Sequence, residues 1–213
     1  MTADDMVRFT RYNLLRDRSV PPLWPDDVVV RYLSEGQDRF ARLTDSLIAD
    51  DTEIDVVSGE DTYELDRSII FVYAAHFVGF EGERMQPATE GWTPDTIVSS
   101  RPTRYTLDRA TNTIRFYAIP DQDYTAVLRI ARLPVDLSLD DLAAESEIDQ
   151  SYQDALMDWA AYRCFTHDDA DGRNDKAAEN ALRRFNEMVN RAKQDNYRLR
   201  MGFQARAHGQ RVK

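Results

Sequence analysis

Within residues 152–171 the chain turns apolar on nearly every side from Ala155 to Phe165. Tyr152, Ala155, Leu156, Trp159 and Tyr162 recur at helical spacing, and Met157, Ala160, Ala161, Cys164 and Phe165 fill the flanks. A helix apolar all round packs among several neighbours instead of lying on a surface, so the pattern predicts a central helix here. After a polar break at 167–175, Ala178, Ala181, Leu182, Phe185, Met188, Val189 and Ala192 keep an i, i+3, i+4, i+7 stripe among Glu, Asn, Arg and Lys. This predicts a second helix over 176–192, folded back on the first as an antiparallel hairpin because the break is short.

The N-terminal end repeats the helical period. Met6, Val7, Phe9, Tyr12, Leu14 and Leu15 predict a helix over 4–16, with acids at its start and arginines after. Pro25, Asp26 and Asp27 open another helix, and Val29, Tyr32, Leu33, Gly36, Phe40, Leu43 and Leu47 carry one face of it to about residue 47. Gly36 costs helix stability, which predicts a close helix contact at that point.

Between these ends the period changes to two. Strands are predicted at 52–57, 62–65, 69–80, 104–107, 113–118 and 124–133, with 69–80 buried on both faces at its start. Residues 81–96 read as loop around Trp92 and Pro94, and 137–148 as an acidic stretch holding one loose helical turn. Sequential neighbours pack together. The expectation is therefore an α+β fold: N-terminal helices at 1–48, an inserted antiparallel β-sheet unit at 52–134, a C-terminal hairpin at 149–196 completing a helical bundle, and an extended basic tail at 197–213.

Charge sharpens this picture. The 213 residues carry a net −11. After Asn190 stand Arg191, Lys193, Arg198, Arg200, Arg206, Arg211 and Lys213 against Asp195 alone, a net +6, so the rest of the chain carries −17. An acidic body repels nucleic acid, whereas the tail can seek an acidic surface. An apolar fraction of 42% suits a folded chain. No run approaches the ~18 apolar residues of a membrane span, and the opening MTADDMVRF lacks the signal-peptide pattern. The single cysteine, Cys164, excludes an internal disulfide and fits assembly in a reducing cytoplasm.

Candidate chemistry is thin. His76, His167 and His208 are far apart, and no zinc-protease, phosphate-loop, dinucleotide or nucleophile-elbow motif occurs. Residues 167–172 resemble half of a calcium loop, but His167 and Ala178 would occupy its first and twelfth ligand positions, where the cation needs oxygen. Asp and Asn there suit capping of the next helix instead. No catalytic, cofactor-binding or metal-ligating residue is assigned, no cofactor is expected, and nothing requires an enzyme.

Several pieces in order resemble the head-to-tail adaptor proteins of tailed bacteriophages, which include tail tubular and gatekeeper-type proteins. They are Trp24-Pro25-Asp26-Asp27 followed by YLSEGQDRF at 32–40, Gly59 with Tyr63-Glu64-Leu65, Tyr105 with Phe116 to Pro120, LRIARLP at 128–134, and the 152–171 segment. The resemblance implies a structural virion protein of the neck, assembled in the bacterial host cytoplasm. It implies a homo-oligomeric, dodecameric ring beneath the portal protein, joined to a tail or nozzle protein, with genomic DNA passing through the lumen without specific binding and no membrane partner. On that reading Arg198, Arg200, Arg206, Arg211 and Lys213 belong to a tail that docks on the portal or a neighbouring subunit. Two alternatives stay open: a nucleic-acid-binding accessory protein using the same tail, and a polymer-acting hydrolase with carboxylates converging in a pocket.

Overall fold

The computed structural model describes residues 1–89, 98–167 and 173–209, with side chains as far as Arg198. The fold is α+β, and the chain divides into a helical unit, residues 1–47 with 134–213, and a β unit, residues 48–133.

In the helical unit, α1 (Ala3–Phe9) is capped reciprocally by Thr2 and Asp5. It continues as a π-helical turn, Thr10–Leu15, which stops where Arg16 takes a left-handed backbone. The second helix, α2 (Asp26–Thr44), ends earlier than its stripe suggests. Asp45 turns left-handed at φ 48°, Leu43 is 38% exposed, and the chain enters a strand at Ile48.

The central helix, α3 (Gln153–Phe165), follows a short 3-10 turn, Gln150–Tyr152. Every residue from Ala155 to Ala161 is buried, as is Cys164. The predicted close approach at Gly36 is present. A Cβ built there would lie 3.2 Å from Trp159 Cδ1 and 3.3 Å from the Leu156 carbonyl oxygen.

The fourth helix, α4 (Asp175–Gly209), is much longer than the 176–192 stripe. Asn174 caps it by accepting from the Ala177 N–H at 3.0 Å. Its backbone stays helical through Gly209, so residues 197–209 do not form the extended tail expected from their composition. The stripe measures only the part that neighbours bury. Arg, Gln and Ala continue the helix without it, because they are good helix formers.

Segment 134–149 is tied to α2 by polar groups that no periodicity reveals. Buried Gln37 donates to the Val135 carbonyl at 2.9 Å and accepts from the Ser146 hydroxyl at 2.8 Å. Ser34 donates to Asp136 at 2.8 Å and accepts from the Leu137 N–H at 3.2 Å. The loose turn predicted there is a 3-10 turn, Leu139–Asp141.

The β unit holds two sheets instead of one antiparallel unit. In the first, β7 (Tyr124–Arg132) lies between β1 (Ile48–Val56) and β3 (Ile69–Phe77), both antiparallel to it. In the second the order is β2 (Thr62–Glu64), β6 (Thr113–Tyr117), β5 (Arg104–Asp108) and β4 (Gln86–Pro87). The last pairing is parallel, and β4 lies inside the segment read as loop. Trp92 and Pro94 of that segment lie outside the described residues.

Strand β3 is not buried on both faces at its start. Bulges between Ile69 and Phe71 and between Val72 and Ala74 shift its phase, so Val72, Ala75 and Phe77 face the core. There they pack with Tyr105, Ile114, Phe116, Leu128 and Ile130.

Candidate docking surface

The basic segment singled out by its charge is carried on α4, so the way α4 is held determines what that segment can reach. Ala178, Ala181, Phe185, Val189 and Ala192 are all buried, and the Phe185 ring lies 5.1 Å from that of Trp159 on α3. Arg184 donates to Asp158 at 2.7 Å. Burial raises the Asp158 carboxyl above its ordinary value, with Arg184 opposing the shift. Further along, the Tyr152 hydroxyl donates to Asp195 at 2.8 Å. Asn196 then donates to the carbonyl of Thr44, the last residue of α2, at 2.9 Å.

Beyond that anchor the surroundings change. Tyr197 is 63% exposed, and the Arg198 side chain is 75% exposed, its guanidinium 3.5 Å from Asp195. The 35 residues of α4 span about 52 Å, whereas the 13 of α3 span about 20 Å and the 19 of α2 about 29 Å. Neighbours this short cannot cover it along its whole length. Of the predicted docking residues, Arg198 is exposed on α4, and Arg200 and Arg206 lie on its helical backbone. The side chains of Arg200 and Arg206, and all of Arg211 and Lys213, lie outside the described residues. Tyr197, exposed next to Arg198, is a surface residue that charge counting passes over.

Other candidates find structural roles. Cys164 is fully buried, and burial pushes its thiol up to about 12, which removes its nucleophilic character. His76 sits on β3 opposite Val127. His167 meets the edge of Trp24, with centroids 5.9 Å apart. Of the calcium-like segment, 168–172 lie outside the described residues, and Ala178 is buried in the hairpin. Among the described residues no group of three or more His, Cys, Asp or Glu side chains could hold a metal ion, and no helix is long and apolar enough to cross a membrane.

Among the described residues, clefts on the helical unit include two that bear on binding. One, of about 340 Å³, lies between the π-helical turn and α4. The other, of about 420 Å³, runs between α2 and residues 136–139. At the last positions of α4 whose side chains are described, Tyr197 and Arg198 are both exposed.

The family model described as SU10 adaptor protein matches residues 1–208, and the chain belongs to that family of phage head-to-tail adaptors. None of the curated proteins matches it significantly.

Proposed function

We propose that the protein is a structural, non-enzymatic component of the virion neck that forms a dodecameric ring between the portal protein and the tail or nozzle protein. The observation that carries this reading is the family match over 1–208, and an exposed Arg198 on a helix that continues to Gly209 supports it. A body of net −17 suits the lumen of a conduit, since like charge lets DNA pass without being gripped. Arg198, Arg200, Arg206, Arg211 and Lys213 form the docking end, on the portal or on a neighbouring subunit. Copies are made and assembled in the host cytoplasm.

The test is truncation. Removing residues 197–213 abolishes stable association with purified portal rings, followed by co-sedimentation, while thermal unfolding of the shortened protein stays native and its circular dichroism loses only the helical signal of 197–209. Undiminished association contradicts the assignment of the docking end. Strong, salt-sensitive DNA affinity of the intact protein contradicts the conduit.

A further inference from the structure

The cleft between α2 and residues 136–139 has an apolar floor and an acidic rim. Val30, Leu137 and Leu139 line it, Leu139 being 42% exposed. Asp27 and Asp136 stand at its edges, and Asp140 and Asp141 follow in the adjoining 3-10 turn, both exposed. None of these four carboxylates forms an ion pair with a described residue. Arg31 and Glu35 also line the cleft; Arg31 lies over the Tyr32 ring, and Glu35 is paired with Arg163. Nearby, burial and then the charge of Asp136 raise the Asp38 carboxyl above its ordinary value. The walls are firm, because Ser34 and Gln37 bind 135–137 to α2. From Leu133 to Tyr162 the chain carries eight carboxylates and no Lys, Arg or His.

The chain's own basic segment cannot fill this cleft. Tyr152 with Asp195 and Asp158 with Arg184 set α3 and α4 antiparallel. Tyr152 beside Phe40 and Arg163 beside Glu35 set α2 and α3 antiparallel. Helices α2 and α4 therefore run in the same direction, and Asn196 sits at the C-terminal end of α2. From there α4 continues to Gly209, about 20 Å further on, while the cleft lies along the first half of α2, roughly 15–25 Å back.

We propose that this cleft receives the basic end of α4 from a neighbouring copy of the chain. The proposal rests on the ring reading above and names the partner of its docking end. The occupant matches in kind. The same helical segment is mixed in composition: Leu199 and Phe203 are apolar, and Arg198, Arg200 and Arg206 are basic. A contact between two different surfaces of identical subunits is heterologous, and such contacts close into rings when the rotation permits.

The test is charge reversal with rescue, read as the yield of portal-bound rings in negative stain. The cleft variant carries Asp136→Arg and Asp140→Arg; the helix variant carries Arg198→Glu, Arg200→Glu and Arg206→Glu. Each alone lowers ring yield about tenfold or more, because like charges then face each other, and the two sets combined in one chain restore it. Because Asp136 accepts from Ser34, Asp140→Arg with Asp141→Arg serves as the cleft variant should the first unfold. A cleft variant that assembles normally while the helix variant does not places the docking end on the portal and overturns the proposal, as does failure of rescue. Wild-type protein that forms no ring overturns the ring reading and this proposal together.

Discussion

Gly36 and Trp159 decide how closely α2 and α3 approach. The Cβ position at Gly36 already lies 3.2–3.3 Å from Trp159 and the Leu156 carbonyl. Gly36→Val is therefore expected to lower stability by about 1–3 kcal/mol through overpacking, measured by urea unfolding.

Asp17 behaves differently. Burial alone would raise its carboxyl, but the Ser19 hydroxyl and the backbone N–H groups of Trp24 and Ser19 outweigh that and hold it below its ordinary value of 3.8. A depressed folded-state value gives stability that is present above 3.8 and lost as the pH falls through the folded value. Asp17→Asn is thus less stable than wild type at pH 7, and the two converge in acid; a difference independent of pH contradicts this. Cys164 is expected to resist alkylation in the native protein and to react once urea unfolds it, since its thiol is buried and raised.

Gly36 was readable because a glycine amid a helical stripe has a cost that something must offset. Gln37 was not. Its partners Val135 and Ser146 stand 98 and 109 residues away, and a polar residue next to a stripe carries no mark of them.

At the scale of elements, the all-round apolar helix, the hairpin and most strands follow directly from period and punctuation. The differences have local causes. Two bulges shift the phase of β3, a left-handed Asp45 stops α2, and β4 is only two residues long, too short for any period. The length of α4 was hidden because an amphipathic stripe reports burial, and the helix continues where nothing buries it. That helix owes its placement to a few anchors, and Phe185 is the largest of them. Phe185→Ala is expected to cost about 3–5 kcal/mol, as truncating a fully buried aromatic does. It should also speed hydrogen exchange along α4 more than in the β unit. Equal acceleration everywhere would mean that α4 is not separately anchored.

At the scale of the molecule, charge is divided between a −17 body and a +6 end, and that division was plain in the sequence. The sequence did not reveal that residues 197–209 are helical, nor that an acidic cleft lies along the first half of α2, back from the Asn196–Thr44 contact. The second depends on how α2, α3 and α4 are oriented, and orientation comes from contacts such as Asn196 with Thr44 and Tyr152 with Asp195. The separation of the basic end from its complementary cleft argues for contacts between copies over closure within one. The most direct test is native mass measurement and negative-stain imaging of the purified protein, alone and mixed with portal rings. A ring of this protein on the portal is the expected result. A protein that remains monomeric and leaves the portal bare would contradict the account.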